Sequence, residues 1–205
     1  MRRVGPDRLI EQLRTQIKDE RVLEAMRAVP RDLFVPADLA GEAWDNVPLP
    51  IGAGQTISQP LVVARMLEML ELRGGERILD IGTGSGYHAA LLGRLGSHVW
   101  SVERHRTLSD QAKANLERAG IRNVTLIVGD GTRGLPETAP FDAINVAAAA
   151  GNDIPQALID QLGPNGRLIV PVQTGDQRLW LVHRTPGGRF ERKGLERVRF
   201  VPLVS

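Results

Sequence analysis

The stretch RILDIGTGSGYHAALLGRLG, residues 77–96, decides how this chain is read. It opens with a short apolar run, sets glycine at 82, 84 and 86, and continues into an apolar segment long enough for a helix. A strand that passes through a glycine turn into a helix is the unit of nucleotide-binding parallel sheets, because glycine lets the backbone turn sharply and come close to a ligand. The spacing is G-x-G-x-G and not the G-x-G-x-x-G that cradles a pyrophosphate. Asp80 stands just before the first glycine, where its charge would repel a pyrophosphate and suit a cationic ligand.

Working outward, the same texture repeats. HVWSVE (98–103), NVTLIV (123–128), DAINVA (142–147) and RLIVPV (167–172) are further short runs rich in Val and Ile. Helix-length segments separate them: YHAALLGRLG, RTLSDQAKANLERAG and IPQALIDQL. Strands alternating with helices predict right-handed crossovers and a parallel sheet covered on both faces, a doubly wound, Rossmann-like α/β core over 76–205. RLWLVHRT and RVRFVPLV, with PGGR between them, predict an antiparallel edge at the carboxyl-terminal end.

Residues 1–75 read differently. Leu9, Ile10, Leu13 and Ile17 predict one helix, and Val22, Leu23, Met26 and Val29, after Asp19 as cap, predict a second that ends at Pro30. Pro60 suits a first helical turn, and Val62, Val63, Met66, Leu67 and Leu70 carry a third helix to about Arg73. Between them lies LPIGAGQTISQP (49–60), read as a flexible loop. All 205 residues are expected to form one domain, with 1–75 supplying helices and a loop beside the α/β core.

Composition narrows the function. The chain has no cysteine, which removes thiolate metal sites, disulfides and cysteine nucleophiles. Lys and Arg total 26 against 24 Asp and Glu, interspersed as in DERVLEAMRAVPRDL, a mixed-charge surface rather than a nucleic-acid stripe. No apolar run reaches the ~20 residues of a membrane span. A cytoplasmic monomer is the expectation.

Three strand tips then carry chemistry. Beyond the glycine turn, Glu103 closes the second strand about 20 residues on, where a carboxylate accepts from both ribose hydroxyls. GDG (129–131) follows the third strand, so that Asp130 can accept from an adenine amino group while the Gly131 amide nears the ring. Ligands of open α/β sheets bind at that edge. An adenosine pocket with room for a positive charge fits S-adenosylmethionine better than a nicotinamide dinucleotide. Asp80 and Asp130 each keep a second reading as loop caps, and His88 either borders the pocket or faces its own helix's neighbours. Trp44, Trp100 and Trp180 are expected to pack in the core or at an edge, and His98, His105 and His183 are too dispersed for a metal site.

From VLEAMRAVPRDLFV through LPIGAGQTISQP, ILDIGTGSGYHAALLGRLG, VWSVER, NVTLIVGDG and FDAINVAAAA to RFVPLV, the sequence resembles the protein-L-isoaspartate (D-aspartate) O-methyltransferases. The resemblance implies methyl transfer from S-adenosylmethionine, leaving S-adenosylhomocysteine, to the α-carboxylate of isoaspartyl residues in proteins or peptides. It further implies that Gln55, Thr56 and Ile57 lie near the methionine end of the donor and that Arg104 flanks it. Ser58 is implied as the active-site hydroxyl, with Thr56, Ala148, Ala149 and Val201 beside the substrate. From the residues alone, Ser58 could instead cap the helix that follows. Asn145 and AAAAGND (147–153) depart from the common pattern at the substrate slot, and Asn165 in PNG replaces a glycine that many relatives carry. Two other uses of the same pocket stay open: a dedicated enzyme for one peptide's aspartate, and a binding module without turnover.

Overall fold

The computed structural model describes residues 5–204. Two helices come first, α1 (Pro6–Arg14) and α2 (Glu20–Ala28), the second capped by Asp19, whose side chain accepts from the Arg21 amide at 2.9 Å. Two 3-10 turns, Arg31–Phe34 and Ala37–Glu42, lead to a hairpin that the sequence reading took for a loop: β1 (Leu49–Gly52) pairs antiparallel with β2 (Gln55–Ile57). Gly52, Ala53 and Gly54 all have positive φ at its tip, the conformation glycine adopts most cheaply. Helix α3 (Pro60–Leu70) follows and stops three residues short of the expected end, because Glu71 turns left-handed.

Next come β3 (Arg77–Ile81), α4 (Tyr87–Leu95), β4 (His98–Glu103), α5 (Arg106–Arg118), β5 (Val124–Val128), β6 (Phe141–Val146), α6 (Gln156–Asp160), β7 (Leu162–Thr174), β8 (Asp176–Arg184) and β9 (Phe190–Arg197). The sheet order is β5-β4-β3-β6-β7-β8-β9, parallel from β5 to β7 and antiparallel beyond. The winding direction therefore reverses at β3, with β4 and β5 on one side and β6 and β7 on the other, which opens a crevice at the carboxyl tips beside β3. Residues 163–166 loop out of β7, since Phe141 pairs with Leu162 and Ala143 with Arg167, and Asn165 takes φ +60° in that bulge.

The last strand corrects the sequence reading. The polar FERKGLER forms β9, whereas RFVPLV, read as a strand, crosses the carboxyl edge of the sheet as a strap. Val198 and Phe200 pack on the core, and Ala149 exchanges backbone hydrogen bonds with the strap: its amide donates to the Val201 carbonyl and its carbonyl accepts from the Leu203 amide. Alternation of apolar residues in this segment therefore serves burial without a ladder. One buried cluster joins Leu9, Leu23 and Met66 of the amino-terminal helices to Leu91 of α4 and Ile169 of β7, so the flap and the sheet share a core.

Gly86 starts α4 at φ +91°, and a Cβ there would stand 3.2 Å from Ala112 Cβ on α5. Gly86→Ala is expected to cost about 1–3 kcal/mol in urea unfolding; an unchanged midpoint would contradict this packing.

Candidate active site

The hairpin is a flap laid over the glycine loop. Ile51 on β1 reaches it, since a Cβ on Gly84 would come within 3.1 Å of Ile51 Cδ1. Its far end is pinned from below by Arg31, a fully buried guanidinium. Arg31 donates to the carbonyls of Ala43, of Val47 at 3.3 Å and of Ser58 at 3.0 Å, and lies 5.7 Å from the Tyr87 ring centroid. Burial lowers its pKa to about 10, which still leaves it charged at neutral pH. Ser58 does not cap α3. Gln59 occupies the cap position without a side-chain bond, and Asn46 Oδ1 takes the Leu61 amide at 3.0 Å. Ser58 lines the spaces on both sides of the flap's end.

Beneath the flap, a cavity sits on the carboxyl tips of β3 and β4. It brings together Gln55, Thr56, Ile57 and Ser58 from the flap, Gly82 and Gly84 from the turn, Glu103 and Arg104 from β4, and Ala148 and Val201 from the strap side. Glu103 is the organising side chain: it accepts from the Gly84 amide at 2.9 Å and from the His105 amide at 3.0 Å, which fixes the carboxylate in the wall. Each oxygen keeps a lone pair for a ligand.

Five residues singled out in the sequence lie off that wall. Asp80 is buried behind the turn, where Oδ1 accepts from Asn145 Nδ2 at 2.8 Å and Oδ2 from the Ser101 hydroxyl at 2.6 Å. Burial, opposed by those two bonds, raises its pKa to about 6. Its charge meets the ligand space only through Ser101 and Thr83, whose hydroxyls lie 2.6 Å apart. Gly86 is spent on packing against α5. Asp130 caps the 3-10 turn Gly131–Arg133, accepting from the Thr132 amide and hydroxyl, and both hydrogen bonds hold its pKa below the usual carboxylate value. Gly131 packs on Ile81, and Ala149 is held by the strap.

The cavity also recruits residues that the sequence did not assign to it, Thr83, Ser85, Tyr87 and His105, together with His88, for which the sequence left two readings. Only the last was legible as a candidate, from its place two residues after Gly86. A second groove adjoins the cavity, lined by Pro48, Gln59, Val62, Arg197, Arg199 and Phe200. Thr56, Ser58, Ala147 and Val201 line both spaces, so four residues form a partition between them. Among the described residues no group of three His, Asp or Glu side chains could hold a metal ion, and no helix is long and apolar enough to cross a membrane.

A doubly wound sheet whose glycine turn and acidic β4 tip wall a cavity at the carboxyl edge defines the Rossmann-like methyltransferase class of fold. Within that class, the chain belongs to the protein-L-isoaspartate (D-aspartate) O-methyltransferase family, whose model matches residues 5–205. A protein-L-isoaspartate O-methyltransferase of Azoarcus sp. is 54% identical over 201 residues, 97% of this chain and 92% of that protein. One of Aeropyrum pernix is 50% identical over 206 residues, covering 97% and 78% of the two. Among solved structures, a putative protein-L-isoaspartate O-methyltransferase of Plasmodium falciparum in complex with S-adenosyl-L-homocysteine superposes with a TM-score of 0.83 at 27% identity, over 98% of each chain.

The raised pKa of Asp80 fixes a pH signature. A carboxyl whose folded pKa exceeds its unfolded value of 3.8 favours the fold fully below that value, and the contribution is lost as pH rises through about 6. Relative to Asp80→Asn, the natural protein should lose on the order of 2–3 kcal/mol between pH 4 and 7.5 in paired urea unfolding. A difference that does not change with pH would contradict the buried charge.

Proposed function

We propose that the chain methylates the α-carboxylate of L-isoaspartyl residues in damaged proteins or peptides, using S-adenosylmethionine, as the first step of repair through a succinimide. One observation carries the reading: the cavity over the β3 and β4 tips and the groove lined by Arg197 and Arg199 are separated by Thr56, Ser58, Ala147 and Val201 alone. A donor on one side and an anionic peptide acceptor on the other would meet at that partition. In this reading the protein works as a cytoplasmic monomer; the absence of cysteine suits a reducing compartment.

The donor, when bound, supplies a methyl group on a positively charged sulfur. Its ribose suits Glu103, whose free lone pairs face the cavity, with Arg104 beside it and the Gly82 and Gly84 backbone beneath. Gln55, Thr56 and Ile57 close over its methionine end. Asp80 and Gly86 act from behind by fixing the turn, and Asp130 and Gly131 by shaping the next one. The acceptor carboxylate, with an ordinary pKa near ~4, is already ionised at neutral pH. One of its oxygens bonds to the methyl carbon as the carbon–sulfur bond breaks, and sulfur keeps the electron pair. A neutral ester and S-adenosylhomocysteine result, and no proton is moved.

The protein's task is therefore alignment and exclusion of water around a step that cancels two charges. Ser58 holds the acceptor carboxylate by donating its hydroxyl, while Arg31 fixes the Ser58 backbone. Ala147 and Val201 border the peptide, with Ala148 on the donor side and Ala149 supporting them from behind, and Arg197 and Arg199 give the groove a positive wall. Ser58→Ala should lower methylation of a synthetic isoaspartyl peptide ten-fold or more while S-adenosylhomocysteine affinity stays within about two-fold, the loss expected for one charge-assisted hydrogen bond. The peptide's normal aspartyl twin should accept no methyl. Equal methylation of both peptides, or full turnover by Ser58→Ala, would overturn the assignment.

A further inference from the structure

The groove beside the partition carries charge of one sign. Two arginines, Arg197 and Arg199, line it, and no Asp, Glu or Lys does so among the described residues. Neither arginine lines the donor cavity, so their charge meets the peptide beside the reacting carboxylate and not that carboxylate at the partition. The two are not equivalent. Arg197 closes β9 and has Asp176 at 3.2 Å, which offsets its charge. Arg199 is exposed and has no carboxylate within ion-pair distance among the described residues.

The strap fixes where that unpaired charge stands. Val198 and Phe200 pack on the core, and Gln177 holds both of their amides, the first by its backbone carbonyl at 3.0 Å and the second by its side chain at 2.6 Å. Arg199 lies between them and faces the other way, as alternate residues of an extended chain do. It is two residues from Val201, the strap's member of the partition, a span of about 7 Å in extended chain.

We propose that Arg199 selects isoaspartyl sites that carry an Asp or Glu two residues from the isoaspartyl residue. This rests on the reading of the groove as the peptide site. With the reacting carboxylate at Ser58, an extended peptide leaves the partition along the strap. Its residue two positions away covers the same distance that separates Val201 from Arg199. A carboxylate there meets a guanidinium whose planar donor fork fits it. A Lys or Arg in the same place meets like charge, which disfavours that sequence.

Steady-state methylation by the whole protein tests this with five synthetic isoaspartyl peptides: a neutral one, and four carrying Glu or Lys two residues before or two residues after the isoaspartyl residue. The quantity read is kcat/KM for each charged peptide divided by that for the neutral one, so that any general effect of a substitution cancels. For the natural protein at low ionic strength, one of the two Glu peptides should be favoured roughly three-fold or more, through KM and not kcat. Its Lys counterpart should be disfavoured, and both effects should shrink towards unity at about 0.5 M salt. Arg199→Gln should abolish the preference and Arg199→Glu should turn it towards Lys. No preference in the natural protein, or one that survives both substitutions, overturns the role of Arg199. Failure of the natural protein to methylate even the neutral isoaspartyl peptide would instead overturn the substrate reading on which it stands.

Discussion

Nη2 of Arg31 holds the Ser58 carbonyl at 3.0 Å, and the same guanidinium takes the carbonyls of Ala43 and Val47. An arginine with no exposed surface carries a large desolvation cost, offset only when its donors are used together. Three carbonyls converge on Nη1 and Nη2, Ala43 and Val47 from the segment before the hairpin and Ser58 from the one after it, so the flap cannot shift without stranding a buried charge. This fixes where the Ser58 hydroxyl stands relative to the sheet, and the rest of the site is arranged around that point. Glu103 provides a second clamp, joining the β4 tip to the glycine turn through the Gly84 amide.

The two clamps divide the work. Glu103 shapes a cavity with a fixed acceptor at one end, and Arg31 fixes the Ser58 backbone in the partition between that cavity and the groove lined by Arg197 and Arg199. The chemistry requires nothing more elaborate, because the nucleophile arrives ionised and the leaving group departs neutral. Polar groups that look catalytic in the sequence turn out to be architectural. Asp80 is the clearest: it organises Ser101, Thr83 and Asn145 beneath the turn and keeps its charge away from the ligand.

The doubly wound core was legible because strand period and helix length alternate cleanly from Arg77 onward, and the structure's β3, β4, β5 and β6 fall within a residue of the sequence runs. Four features were hidden for physical reasons. The β1–β2 hairpin has only three residue pairs and a bulge at Ile51, too short for alternation to show. β9 is polar on both faces, and so lacks the apolar pattern of a strand, while the apolar alternation of RFVPLV belongs to a strap. His88 sits in an apolar helical run, where a buried histidine and a cavity histidine leave the same trace in one sequence. Nothing in the sequence shows that Arg31 is buried, since its partners are backbone carbonyls, which carry no side-chain signature.

The central claim is that methyl passes across the partition of Thr56, Ser58, Ala147 and Val201. A crystal structure with S-adenosylhomocysteine tests it most directly. The account predicts the ribose hydroxyls on Glu103 and the sulfur facing the partition within reach of the Ser58 side. Binding with the sulfur turned toward α5, or in any other part of the molecule, would contradict it.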